Sequence, residues 1–340
     1  MATATGRLRL ELRGDLLTAA NTGAPLDADG VEGLATLRAS AKRDDAASVG
    51  RYGVGSAAVL AVGDELEVRS RAGGVRSSAA GTRAEVAAAA GASAGLAAEL
   101  ARRDGAVPVL RLPWPAPDDV PEGFDTEVRL PLRPGAAAGV RSALGGLDPA
   151  LLLALDGLER VEVVVDGAVR VLARADAGDG RVVLDDAGTA TTWRVARRDG
   201  ELPAELLAGR PVEERGRRAW RVVCAVPVDD DGQPVPLPVP VPQVVHAPTP
   251  SDEPLSLPVR LVAPFPLGPD RRHVLPGPVT DTLVAVAAGT VLDLVRSLPA
   301  DPSALALVPR PGRAGAALDA AIGTAVLDLL RASAWLPGDV

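Results

Sequence analysis

Arg7 to Leu12 alternate polar and apolar residues, the period of a half-buried strand. Gly14-Asp15 is a turn and Leu16 to Ala20 a second strand, so residues 7–20 predict a hairpin. Asn21-Thr22-Gly23-Ala24-Pro25 breaks it. Val31, Leu34 and Leu37 then share one face of a helix that Asp27 or Asp29 can cap and that ends near Ser40. Residues 41–48 are polar and predict a loop. The glycine-rich stretch Ser48 to Ser56 follows and runs into a short apolar helix over 57–62.

Alternation returns over Glu65 to Arg71, with a turn at Gly73-Gly74 and a pairing strand at Val75 to Ser78. Thr82 to Arg103 is alanine-rich and predicts a helix, weakened by Gly91 and Gly95. Val107 to Leu112 predicts a strand, Pro113 to Gly123 a loop, and Thr126 to Leu132 another alternating strand. Residues 1–133 thus predict an α+β layer, a mostly antiparallel sheet with helices on one face. A boundary falls at Pro134 to Ala138. Residues 134–340 predict a second unit: a helical stretch to about Leu158, and strands at 160–166, 168–174, 181–185, 190–197, 218–228 and 257–262. Helices at 280–297 and 314–334 close the chain. The proline- and valine-rich stretch 229–250 has no helical period and predicts an extended connector.

Composition narrows the function classes. Aromatic residues make up 2% of the chain, so Val, Leu and Ala must build its core. The net charge of -8 and the lack of a basic block argue against nucleic acid as a partner. Lys42 is the one lysine among 36 basic residues, and the abundance of Ala, Gly, Val, Asp and Arg looks like GC-rich bacterial coding bias. Cys224 stands alone inside the apolar run Val222 to Val226, which makes it a core residue and excludes an internal disulfide or a cysteine metal cluster. His246 and His273 are too few for a histidine metal site. No apolar run reaches about eighteen residues and no signal peptide opens the chain, so a cytoplasmic protein without a membrane partner is expected.

The candidate chemistry sits in four ordered segments: Asn21-Thr22-Gly23, Ser40-Ala41-Lys42, Gly50-Arg-Tyr-Gly-Val-Gly55 and Asp125-Thr126-Glu127-Val128. A glycine turn at a helix start can wrap an anion, because its backbone approaches closely and the first amides of the helix point at negative charge. Its order, G-x-x-G-x-G, is neither the dinucleotide fingerprint nor the P-loop. Together the four segments resemble the GHKL, or Bergerat-fold, ATP-binding domain, nearest the ninety-kilodalton heat-shock chaperones and sacsin-type ATPases. The resemblance implies a Bergerat-type two-layer α/β sandwich followed by an α/β middle-type domain. It also implies that Asn21, Gly23 and Thr126 recognise adenine, that Gly50, Gly53, Val54 and Gly55 cradle phosphates, that Ser40 and Lys42 belong to the nucleotide site, and that residues 41–49 form its lid. Arg271 and Arg272 lie in a segment similar to a middle-domain loop whose arginine reaches the terminal phosphate. ATP or ADP is the implied cofactor, with Mg²⁺ expected for the family, and client proteins are possible partners.

The family also carries, on a helix ahead of the hairpin, a Glu that activates water and an Asn that binds Mg²⁺. Met1 to Gly6 contain neither residue. Asn21 stands where the family's turn has Asp, which keeps a carbonyl acceptor and removes the charge. The expectation is a chaperone-like nucleotide-binding protein with weak or no hydrolysis. The alternatives are a non-enzymatic interaction module or a fragment of a larger ATPase chaperone. Glu11 or Glu32 as a substitute base is a third, weaker reading.

Overall fold

The computed structural model describes residues 6–35, 59–155, 157–210, 215–216, 218–238, 242–247, 249–299, 301–310 and 315–335. The chain forms two compact units. The first takes the described residues up to Leu147 together with Gly157–Leu172, and the second takes 148–155 and the described residues from Ala173 on.

In the first unit, β1 (Arg7–Arg13) and β2 (Leu16–Asn21) form the expected hairpin. The later strands are β3 (Glu65–Ser70), β4 (Gly74–Ser78), β5 (Trp114–Ala116), β6 (Thr126–Pro131) and β7 (Arg160–Val165). Their order across the sheet is β7-β1-β2-β6-β3-β4-β5. Every pair is antiparallel except β1 with β7. Helix α1 (Ala28–Ala35) is capped by Asp27, whose Oδ1 accepts the Gly30 N–H at 2.8 Å. The helix expected over 82–103 is two helices, α2 (Ala79–Ala92) and α3 (Ala94–Arg102). Ser93 divides them: it ends α2, and its hydroxyl accepts the Leu96 N–H at the start of α3. Helix α4 (Ala136–Gly145) follows β6.

The strand expected over Val107 to Leu112 does not form. Leu110 takes a positive φ of 59° between Pro108 and Pro113, which no ladder accommodates. The run is apolar because Leu110 fills the core beside Val59, Leu66 and Val68. The strand β5 lies instead within the stretch expected to be a loop.

β8 (Ala168–Gly178) carries the chain from the first unit into the second. There β9 (Arg181–Asp186), β10 (Thr189–Glu201), β11 (Ala219–Val228), β12 (Val244–His246), β13 (Pro250–Pro254) and β14 (Arg260–Val262) are ordered β13-β12-β14-β11-β10-β9. Neighbouring strands in this order pair antiparallel apart from β12 with β14. The connector expected over 229–250 is thus partly built into a sheet. Pro250 and Pro254 begin and end β13, the outermost strand of that order, where a missing N–H need not be paired. Short helices α5 (Leu151–Ala154) and α6 (Ala204–Leu207) join long helices α7 (Pro278–Ser297) and α8 (Ala317–Ala332).

Helix α7 is long and apolar enough to cross a membrane by length and composition, although Asp281 and Asp293 interrupt its apolar run. Two-thirds of that window is buried, and Leu283, Ala287, Val291 and Leu294 join Cys224 of β11 and Ile322 of α8 in one core. A Cβ at Gly289 would stand 2.1 Å from Nη1 of Arg198, the movable end of a side chain that pairs through two nitrogens with Asp293 at 2.6 and 3.0 Å. Asp319, fully buried at the start of α8, accepts the N–H and O–H of Ser256 at 2.9 Å and the Gly315 N–H at 3.0 Å.

Arg260 on β14 is buried. It donates Nη1 to Nε2 of His246 at 2.8 Å and Nη2 to Asp148 at 2.9 Å. A guanidinium only donates, so His246 accepts through Nε2. Burial pulls the guanidinium below its ordinary value and the Asp148 charge counters it. Removing one partner of a buried pair strands the other, whereas an exposed pair is replaced by water. Asp148→Ala should therefore cost about 3–5 kcal/mol in urea unfolding. Asp252→Ala, whose partner Arg272 is mostly exposed, should leave the unfolding midpoint nearly unchanged in the same assay.

Candidate functional site

The pleat of the first sheet sorts its residues. Residues two apart share a face. Leu17, Ala19 and Asn21 of β2 lie opposite Leu130, Val128 and Thr126 of β6. Val68 and Ser70 of β3 lie opposite Val128 and Thr126. One face therefore carries apolar rows and then a row that turns polar: Asn21, Thr126 and Ser70. The apolar rows are covered, since Val68, Val128 and Leu130 pack with Leu26, with Leu34 of α1, and with Val59 and Leu60 of a 3-10 turn (Val59–Ala61). An apolar wall ending in convergent polar groups is the usual make-up of a small-molecule site.

The turn after Asn21 is tied down at several points. Gly23 takes φ +140°, a conformation costly for any other residue. Its N–H donates to Oδ2 of Asp125 at 3.0 Å, and the Asp125 N–H donates to the Asn21 carbonyl at 3.0 Å. Asn21 Nδ2 donates to the Thr22 carbonyl at 3.2 Å, so the other end of its amide, Oδ1, is the acceptor. The Arg7 N–H donates to the Thr22 hydroxyl at 2.9 Å. Further along, the Leu26 N–H donates to Oγ of Ser70 at 2.8 Å, and Ser70 is fully buried. Arg71 holds the far side, with Nε to the Phe124 carbonyl at 2.9 Å and Nη1 3.5 Å from Oδ1 of Asp125.

The structure thus brings together three of the residues expected from sequence: Asn21, Gly23 and Thr126. Ser40, Lys42, Gly50, Gly53, Val54 and Gly55 lie outside the described residues. The segment that carries them leaves α1 after Ala35 and rejoins the described chain at Val59, and Leu34 and Val59 both belong to the cluster covering the apolar rows. Sequence reasoning passed over Ser70 and gave Asp125 no role. A signal for Ser70 was present: β2, β3 and β6 each carry a polar residue at the position where alternation calls for an apolar one.

Glu11 is excluded as a base for this row. It pairs with Thr18, so it sits on the opposite face, where it accepts from Arg9 and Arg13 at 2.9 Å. Glu32 is exposed on α1. Among the described residues no group of three or more His, Cys, Asp and Glu could hold a metal ion. Asp125, the carboxylate at the row, is already engaged by the Gly23 amide and Arg71. The described residues therefore do not fit the expected Mg²⁺.

Arg271 and Arg272 lie in the second unit, in a tight loop closed by Asp270. Arg272 pairs through two nitrogens with Asp252 at 2.6 and 3.1 Å, and Arg271 sits at φ 58°. The Arg272 amide and the His273 side chain hold the Asp270 carboxyl down to about 2. The hydrogen bond to Asp270 raises the His273 imidazole above its ordinary value.

No family model and no curated protein matches the chain. Among solved structures it is similar to the ATPase and transducer domains of DNA topoisomerase II from Balamuthia mandrillaris, with TM-score 0.28 and 14% identity. The match covers 68% of this chain and 52% of that one, so the chain spans about half the length of that neighbour. At that TM-score the likeness establishes neither a shared fold nor a shared activity.

The Asp270–His273 contact has a defined pH window. The depressed carboxyl contributes above its ordinary value of 3.8, and that contribution is lost as pH falls toward 2. The raised imidazole contributes below 6.5, and that contribution is lost as pH climbs through its folded value. Proton NMR of the imidazoles should give His273 a midpoint above 6.5 that moves back toward 6.5 in Asp270→Asn. An unmoved midpoint would refute the pairing.

Proposed function

We propose that the first unit binds an adenine nucleotide, with the base against the Asn21–Thr126 row and the phosphates at Gly50 to Gly55. The observation that supports this most is the placement of Asn21 directly opposite Thr126, two residues far apart in sequence, at the polar end of a covered apolar face. The 6-amino group of adenine donates, and Oδ1 of Asn21 is an acceptor. The ring is flat and apolar, and Val68 and Val128 continue the same face. Leu34 and Val59, near the ends of the segment bearing the glycines, pack on that face as well, which suits phosphates lying beyond the base.

In this reading residues 1–133 are the nucleotide-binding part and 134–340 a middle-type part. The protein is a chaperone-like ATPase relative in which hydrolysis is weak or absent, because the described residues supply neither a base on the right face nor a metal site. The role of Arg271 and Arg272 toward the terminal phosphate is carried by sequence resemblance alone, and Arg272 already pairs with Asp252.

Calorimetric titration of the full chain tests the proposal. ADP should bind with Kd below about 1 mM, and Mg²⁺ should change the affinity by less than about threefold. Asn21→Ala should weaken binding about tenfold, the loss of one hydrogen bond to the base. No heat at millimolar ADP from a folded chain would sink the nucleotide reading and favour a protein-interaction module.

A further inference from the structure

Asp125 immediately precedes β6 and joins three things. Its carboxylate accepts the Gly23 N–H through Oδ2 at 3.0 Å. Its own N–H donates to the Asn21 carbonyl at 3.0 Å, and its carbonyl accepts the Arg71 N–H at 3.3 Å. Its other carboxylate oxygen stands 3.5 Å from Nη1 of Arg71, whose Nε binds the neighbouring Phe124 carbonyl at 2.9 Å. The arginine therefore grips the backbone before Asp125 while its charge faces the carboxylate. Gly23 needs such an anchor. At φ +140° it occupies a region where glycine is free to wander, and an unanchored glycine would let the turn move. At its other end the same turn is held by the buried Ser70 hydroxyl through the Leu26 N–H. Both ends of 22–26 are thus fixed by side chains from β3 and from the start of β6, with no ligand present.

We infer that Asp125, steadied by Arg71, is a positioning residue for the ligand: it locks the Gly23 amide, and through that turn it sets Oδ1 of Asn21 for the base. The inference rests on the nucleotide reading above. It adds that the base end of the site is pre-organised by a charged hydrogen bond from a residue that does not touch the ligand. Charge-assisted hydrogen bonds of this kind are about twice as strong as neutral ones. Pre-organisation raises affinity by removing the ordering cost at binding.

The test uses the full chain and two ligands, ADP and adenosine. In Asp125→Ala, Gly23 amide exchange followed by NMR should speed up at least about tenfold. The Kd values for ADP and for adenosine should rise together by about tenfold, because the lock serves the base and not the phosphates. Asp125→Asn keeps an acceptor for the Gly23 amide, so both Kd values should stay within about threefold of the unaltered chain. A general structural defect would not be rescued in this way. Arg71→Gln alters a half-exposed side chain, so it serves if the alanine variant fails to fold; it should weaken both ligands about threefold. ADP binding by Asp125→Ala as tight as by the unaltered chain, or an unchanged Gly23 exchange rate, would overturn the inference and leave the nucleotide reading standing. Failure of the unaltered chain to bind ADP would remove both.

Discussion

The register of β2 against β6 is the constraint on which the first unit depends. Side chains alternate between faces, so a slip of one residue would move Leu17 and Ala19 to the other face and bring Thr18 and Ala20 to this one. The same slip would break the Asn21–Thr126 row and remove Asp125 from the Gly23 amide. The apolar rows select the register, because only one alignment buries Val128 and Leu130 against Val59, Leu66 and Val68. The polar row follows from that choice. Core formation and site formation are therefore one event in this unit.

The second unit solves a different problem. With few aromatic residues, its core is made mostly of aliphatic side chains around the apolar helix α7, with Phe265 among them. The buried Asp319 is answered by three donors, and two of the three guanidinium nitrogens of Arg260 by His246 and Asp148, while its Nε has no hydrogen-bond partner among the described residues. A buried group left without its partner costs more than the pair contributes, so these contacts specify the arrangement as much as they stabilise it.

The two units also differ in what they offer a ligand. The first presents a covered apolar face that turns polar in a single row, with a turn already locked beside it. In the second, two carboxylates close their own turns: Asp229 accepts the Asp231 and Gln233 amides, and Asp270 accepts those of Arg272 and His273. Asx turns of this sort are structural punctuation, and they account for Asp229 and Asp270 without any ligand.

Much of this was legible along the chain. The hairpin over 7–20, the later alternating strands and the two closing helices follow from periodicity, because each element buries a face that the pattern already marks. Asn21, Gly23 and Thr126 stood out through the resemblance of their segments to an ATP-binding domain, yet nothing in a linear pattern could show that Asn21 and Thr126 are cross-strand partners, since pairing is a long-range event. The error at Val107 to Leu112 has the same origin: an apolar run says that residues are buried and leaves their backbone open, and here Leu110 enters the core as coil. Ser70 and Asp125 acquire their roles only when β3, β6 and the 22–26 turn meet in space. The sequence by itself determined which residues must be hidden and which strands they build. The tertiary structure decided which polar groups share a row and which one holds the turn, because a hydrogen bond between residues a hundred apart exists only after the chain has closed on itself.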